Sequence, residues 1–484
     1  MSASPAPVIA LTPPVEAGRR LNVTTVAMLV HNGVRRDTRV LKEARSLVAA
    51  GHRVEIHGIS TQDAFEHDTL EDGQIGIFLS PRAGRGVMRM TGVVLALVAL
   101  LAVLVLNRAG VLSTAVTGGL IALGLAACGL VYRFRKQVAD LAAPVIERFF
   151  PDLPNGDEPL SRWGIEYMSV AIALWRSVTR RPAPDVIHLH DLMALILARA
   201  LRKRFRVPVI WDAHEVYEDL ADNDAGRAKR NAAIISTRQH DLDGFITINE
   251  SIAAFYRAHY PGLPSGIIVM NATVPGPAPA YDGRLHEAAG LPPTQKIVLF
   301  QGGFGPHRGL PQLVAGAAGF GAEWTLVMMG WGALEGKLKR IAASGAARKP
   351  HPAVVFLPGV PLDELALWSA GATLGVIPYE NTGLNHLYCT PNKLWEYAGA
   401  GVPVLCSELV EMSRLVTRHG FGFLLPALPE AKDIAGVVNN LDSTALAGAR
   451  SACASFIAAN NWSIWEQALL ALYRDQLPIS STAN

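Results

Sequence analysis

The chain has 484 residues, half of them hydrophobic, and a net charge of +3: enough length for two or three domains, and too small and too dispersed a basic excess for a nucleic-acid-binding stripe. Its four cysteines, Cys128, Cys389, Cys406 and Cys453, stand apart without CxxC pairs or metal-ligand spacing, and they read as reduced thiols of a cytoplasmic body.

Residues 1–20 are rich in Pro and Ala, with neither a basic start nor an apolar h-region, so they read as a disordered tail and not as a secretory signal. A β-branched run at Asn22–Val30, ended by His31-Asn32-Gly33, precedes a helix at Arg39–Ala50 that places Val40, Leu41, Ala44, Leu47 and Val48 on one face and stops at Gly51. Arg53–Ile59 then completes a β-turn-α-β unit, and Ile75–Leu79 is a candidate third strand.

Directly after it come two nearly uncharged apolar runs, Met90–Leu106 and Gly110–Tyr132, broken by Asn107-Arg108. As helices they would reach about 25 and 35 Å, at about 1.5 Å per residue, against a hydrocarbon core of about 30 Å. Arg82, Arg85 and Arg89 precede the pair and Arg133, Arg135 and Lys136 follow it, which puts both outer ends in the cytoplasm. The insert, about 84–160, is expected to be a membrane hairpin, spanning or re-entrant, with a buried soluble core as the third reading. That places the protein at the inner (cytoplasmic) membrane, its catalytic domains on the cytoplasmic face.

Beyond the insert, a helix at Trp163–Val178, a strand at Asp185–His190, a helix at Met193–Phe205 and strands at Val207–Trp211 and Phe245–Asn249 continue the alternation. Pro275–Pro293, dense in Pro, Gly and Ala, reads as a linker. A second αβ series follows, with strands at Lys296–Phe300, Trp324–Met329, Ala353–Leu357, Thr373–Pro378 and Val402–Cys406. The expected fold is α/β: two doubly wound Rossmann-like domains, 21–274 and 294–460, facing across a cleft, with 461–484 a helix crossing back to the first.

The most specific stretch runs from Thr390 to Val404, Thr-Pro-Asn-Lys-Leu-Trp-Glu-Tyr-Ala-Gly-Ala-Gly-Val-Pro-Val. A helix starting near Pro391 and Asn392 offers free N–H groups to a diphosphate, with Lys393 in its first turn and Glu396 a turn further on, where a carboxylate can accept from vicinal ribose hydroxyls. This stretch resembles the donor-binding segment of family 4 glycosyltransferases of the GT-B fold. The resemblance implies a retaining, metal-independent hexose transfer, with no cofactor, from a UDP- or GDP-linked sugar. The family commonly has a second Glu eight positions before the first; Tyr388 stands there, so Asn385, His386 or the backbone of Cys389–Asn392 are left as contacts to the donor sugar.

Phe300-Gln301-Gly302-Gly303-Phe304-Gly305-Pro306-His307-Arg308-Gly309 is a glycine-rich loop between strand and helix, in which the backbone can approach a diphosphate while Arg308 neutralises it. It matches the family's pyrophosphate site in location. The companion basic residue is missing, with Gly302 and Gly303 in that stretch, and Lys393 is the expected substitute. Gly330 in Met329-Gly330-Trp331-Gly332 and the later Gly359-Val360-Pro361 are either the borders of the nucleotide base or plain turns.

In the first half, His188, His190 and Asp191 end one strand and Trp211-Asp212-Ala213-His214-Glu215 ends the next; the latter resembles the family's active-site histidine region, which makes His214 the catalytic candidate and a core-satisfied His its alternative. The first βα turn, His31–Arg39, resembles the acceptor-side loop. Gly33, Arg35, Arg36, Asp37 and His190 are the acceptor-side candidates, with Asp37 or Thr38 alternatively a helix cap. The expected acceptor is a membrane-held saccharide on a polyprenyl diphosphate, and no His/Cys cluster with metal-ligand spacing is evident. Two rivals remain: a nucleotide-sugar epimerase of the same shape, and a catalytically silent membrane subunit, motivated by Tyr388.

Overall fold

The computed structural model describes residues 24–62, 64–82, 160–222, 224–345 and 351–476. The tail and both apolar runs, 90–106 and 110–132, lie outside the described residues; among those described, no helix is long and apolar enough to cross a membrane.

The first sheet contains β1 (Thr25–Leu29), β2 (Arg53–Ser60), β3 (Glu66–Leu70), β4 (Ile75–Pro81), β5 (Val186–His190), β6 (Val209–Ala213), β7 (Gly244–Thr247) and β8 (Gly266–Ile268), in the order β3-β4-β2-β1-β5-β6-β7-β8. Every pairing is parallel except β3 with β4. β5 and β6 are buried along their whole length because helices cover both faces, which is why they read as near-continuous apolar runs. The second sheet, wholly parallel, takes β9 (Lys296–Gly303), β10 (Trp324–Trp331), β11 (Val354–Leu357), β12 (Leu374–Ile377), β13 (Val404–Ser407) and β14 (Gly422–Leu425) in the order β11-β10-β9-β12-β13-β14. Strand order reverses between β1 and β5 in one sheet and between β9 and β12 in the other. Ligands of doubly wound sheets sit outside the carboxyl ends at such reversals. The molecule is a two-domain GT-B-like α/β fold.

Local departures from the sequence expectation have physical causes. The Met193–Phe205 helix is two pieces, Asp191–Leu195 and Ala198–Phe205. The Pro275–Pro293 stretch contains a helix, Arg284–Ala289, bracketed by Gly283 and Gly290 in left-handed conformations. Its Leu285 and Ala289, one turn apart, join the second-domain core with Leu291.

Two features tie the domains together. The final helix, Trp462–Gln476, packs on the Thr38–Ala49 helix of the first domain: the Trp462 indole donates to Ser46 Oγ at 2.8 Å, and Leu469 and Tyr473 enter a first-domain core. The second domain also lays residues 384–390 on the first. There the Leu384 N–H donates to the Asp219 carboxylate, Val216 N–H to Asn385 Oδ1 at 2.9 Å, and Asn249 Nδ2 to the Tyr388 carbonyl at 2.7 Å, while the Tyr388 ring packs against the first-domain core.

Candidate active site

At the β1/β5 reversal the chain leaves β5 through Asp191, a non-glycine residue in the left-handed region at φ 62°. That conformation costs about 1 kcal/mol and turns the carboxylate back towards β6. His214, just past β6, lies between two carboxylates: its Nδ1 is 3.1 Å from Asp191 Oδ1 and its Nε2 is 2.9 Å from Asp212 Oδ2. Burial alone would lower its pKa, but the Asp212 and Asp191 charges and their hydrogen bonds outweigh it and hold the ring well above its ordinary value. His214 is therefore a fixed imidazolium, with both nitrogens already paired. Burial alone would raise the Asp191 carboxyl; the His214 charge, with hydrogen bonds from His214 and His31, outweighs it and holds Asp191 well below the carboxylate range. Asp212 is depressed in the same way, mainly by Arg39, whose guanidinium grips both its oxygens at 2.7 and 2.9 Å.

In front of this cluster opens a cavity of about 1040 Å³ whose wall includes Gly33, Arg35, Arg36, Asp37, Asp191 and His214, with Thr390 and Asn392 supplied by the second domain. Asp37 is largely engaged as a cap: it accepts from Val40 N–H at 3.1 Å and from Asn32 Nδ2 at 2.7 Å. Arg35 is paired with Asp68 across 2.7 Å. His190 does not face the cavity. It is fully buried behind His214, its ring centroid 5.8 Å from that of His214, so contact with an acceptor is ruled out by its position.

At the β9/β12 reversal, Gly302 takes φ 107°, and a Cβ on Gly330 of the neighbouring strand would lie 1.9 Å from the Gly302 carbonyl, so the two strands close up only with glycine there. Lys393 reaches the same point, its Nζ 3.2 Å from where a Gly302 Cβ would be. Arg308 folds back over Gly305 and donates to the Gly303 carbonyl at 2.8 Å. The Lys393 ammonium and Arg308 guanidinium lie 6.0 and 5.8 Å from the Tyr379 ring, so two cations far apart in sequence gather around one side chain. Glu396, in the Lys393–Gly399 helix, accepts from Gln301 Nε2 at 2.9 Å; Gln301 is itself fixed by Ser369 Oγ at 2.6 Å. The helical turn before Glu396 begins at Pro391, whose carbonyl accepts from Leu394 N–H at 3.0 Å, and Asn392 Oδ1 accepts from Asn271 Nδ2 at 2.8 Å.

Sequence reasoning named Asp191 and Gln301 without giving either a role, and it passed over Tyr379. Each lies within two residues of a strand's carboxyl end at a reversal, and that was the available signal. Tyr388 and Asn385 are committed to the first domain, which leaves His386 the freer of the side chains expected at the donor sugar; its Nδ1 is 2.7 Å from Thr382 Oγ1.

Residues 33–270 match the glycosyl transferase 4-like domain, and residues 295–442 match the group 1 glycosyl transferases. A D-inositol 3-phosphate glycosyltransferase from Acidothermus cellulolyticus is 24% identical over 316 residues, spanning 62% of this chain and 69% of that protein. Among solved structures, the sucrose-phosphate synthase of Thermosynechococcus elongatus superposes with a TM-score of 0.65 at 14% identity, covering 93% of this chain and 98% of that one. Anabaena HepE in complex with UDP-glucose superposes with a TM-score of 0.59 at 12% identity, covering 93% and 100%.

Proposed function

This chain is a glycosyltransferase of the two-domain GT-B type, a 4-like domain joined to a group 1 domain, and we propose that it moves a sugar, with retention and without a metal, from a nucleotide diphosphate sugar to a saccharide held on a membrane lipid, a polyprenyl diphosphate. The observation that carries the donor half is the convergence of Arg308 and Lys393 on Tyr379 beside the glycine pair Gly302-Gly303. Two cations and an open backbone are what a leaving diphosphate needs when no divalent ion shares the charge. Glu396, braced by Gln301, is the ribose acceptor in this scheme. HepE, solved with UDP-glucose on the same fold, favours a UDP-linked donor.

Across the cleft, the His214 imidazolium supplies a fixed positive charge. With both nitrogens bound to carboxylates it stabilises developing negative charge and does not act as a free base. The acceptor saccharide occupies the first-domain cavity. Leu79, near the end of β4, forms part of that cavity's wall, and the apolar runs follow β4 in sequence, so a bilayer anchor there would bring a lipid-linked acceptor to the cavity mouth. The protein accordingly works on the cytoplasmic face of the inner membrane.

Full-length protein given a panel of UDP- and GDP-sugars is expected to release nucleoside diphosphate slowly alone and faster with polyprenyl-diphosphate-linked saccharide. Release in neither condition would remove the reading in favour of a silent subunit; donor converted to its epimer without acceptor would favour an epimerase.

A further inference from the structure

Behind His214 lies a buried polar cluster in which only Asp212 has so far been given a task. Glu43, His188, His190 and Asp212 are all fully buried and gather in it. Glu43 Oε2 is 3.8 Å from His188 Nε2 and 4.0 Å from His190 Nε2. Both Glu43 oxygens, His188 Nε2 and both nitrogens of His190 lack a hydrogen-bond partner. A buried polar atom left unpaired is costly; Glu43 Oε1 still has the Arg39 charge beside it and His190 Nδ1 faces Asp212, but Glu43 Oε2 and the two Nε2 atoms face only one another, which requires a shared proton or a cation between them.

Arg39 decides between these. Its Nε is 3.1 Å from Glu43 Oε1 and 2.7 Å from Asp212 Oδ2, so a divalent ion would stand beside a guanidinium and one residue's width from the His214 imidazolium. Three positive groups would then press on one buried cluster, whereas a proton adds no such repulsion. The two rings are prepared for it. His188 and His190 stack with centroids 4.2 Å apart; His188 Nδ1 is 2.8 Å from Tyr473 Oη, and His190 Nδ1 faces Asp212 Oδ2 at 3.5 Å, so each presents its Nε2 to Glu43.

We propose that Glu43 is a positioning residue for the transfer: it holds a proton against the Nε2 atoms of His188 and His190, which leaves Arg39 free to clamp Asp212, and Asp212 thereby holds the His214 imidazolium. When Glu43 loses the proton it competes for Arg39 and loosens the clamp. The groups facing it are Arg39 on its own helix, His188 and His190 on β5, Asp212 on β6 with His214 just past it, and Tyr473 on the final helix. Burial pushes Glu43 up to about 7 against the opposing Arg39 charge, so the switch falls near neutrality. The link to turnover rests on the role given to His214 above.

Glu43→Gln, a neutral isostere of the protonated acid, separates the parts. A raised carboxyl pKa makes the folded wild type lose stability as pH rises from its ordinary 4.5 to about 7 and no further. The variant lacks this loss, so the Tm gap between variant and wild type is expected to widen over that window and stay constant above it. In nucleoside diphosphate release, the wild-type decline through about pH 7 should be absent in Glu43→Gln, with donor KM unchanged and turnover about tenfold higher than wild type one unit above the inflection. A constant Tm gap overturns the held proton, and an unaltered pH profile overturns the coupling to His214. Stoichiometric Zn²⁺ retained by wild type and lost in the variant would replace the proton with a cation. If wild type releases no nucleotide at all, the functional reading fails while the Tm arm still judges the proton.

Discussion

Asp191→Asn removes one of the two charges that hold His214 while preserving the shape of the site. Asn tolerates the left-handed backbone at φ 62°, and its amide oxygen can still accept from His214 Nδ1, 3.1 Å away, and from the Tyr217 hydroxyl, 2.7 Å away. What is lost is the charge, together with the second carboxylate oxygen that faces His31 Nδ1 at 3.4 Å. Hydrogen bonds to charged groups contribute about 1.5–3 kcal/mol, and with the bond itself retained about 1–2 kcal/mol of that should disappear, which is about 5–30-fold in turnover if the imidazolium acts in the transition state. The pH dependence should change as well. In the wild type the raised His214 pKa contributes stability that is complete below the ordinary value of 6.5 and is lost as pH rises through the folded pKa, well above it. With one carboxylate gone the folded pKa falls towards 6.5, so both the stability and the activity should decline at lower pH than in the wild type. Nucleoside diphosphate release at saturating donor, measured from about pH 6 to 9 with and without Asp191→Asn in Glu43→Gln protein, where the Glu43 transition near pH 7 is absent, tests this. Donor affinity should not move, because Asp191 belongs to the first domain. Turnover and pH profile both matching those with Asp191 intact would refute the role of His214 as a fixed charge.

Arg308→Ala should weaken binding of free UDP or GDP by about 1.5–3 kcal/mol, read by calorimetry, since its guanidinium is assigned to the diphosphate and not to the sugar. Glu396→Gln should cost about 1–3 kcal/mol against UDP but little against its 2′-deoxy analogue, because the carboxylate braced by Gln301 is assigned to the ribose; equal losses would displace it from that role. His214→Ala should lower turnover by about 10²–10³-fold, the range for losing one fixed charge stabiliser, with nucleotide affinity intact, and near-normal turnover would make the residue structural. Replacing residues 86–135 by a short linker should move the protein from the membrane fraction to the supernatant; continued pelleting would shift the anchor to the stretch containing Val145, Ile146, Phe149 and Phe150.

The alternation of apolar strands with helical segments was readable because central strands of a parallel sheet are buried on both faces and carry unbroken apolar runs. β3 was not readable, since Glu66-His67-Asp68-Thr69-Leu70 is an edge strand half-exposed along its length, its stability coming from the antiparallel partner β4. The Arg284–Ala289 helix was masked by the surrounding prolines and glycines. In the Thr38–Ala49 helix the apolar positions located the core side, yet Arg39, Glu43 and Ser46 are buried there while Leu41 and Val48 are only half-buried. Charged residues reach the inside because their partners, Asp212 and the β5 histidines, lie on strands distant in sequence. No local periodicity encodes that meeting. The same holds for Arg308 and Lys393, each visible as a basic residue after a glycine-rich or proline turn, but joined at Tyr379 only by the order β9-β12-β13.

The laying of residues 384–390 on the first domain, together with the return of the Trp462–Gln476 helix, bears on any attempt to recombine this enzyme with a relative. A graft cut at the linker would divide hydrogen bonds that run from Asp219, Val216 and Asn249 into the second domain, and would leave Ser46 facing a foreign helix. A transplant that exchanges acceptor preference must therefore carry residues 384–390 and 462–476 along with the first domain, so that the unit of exchange is three separate pieces of chain.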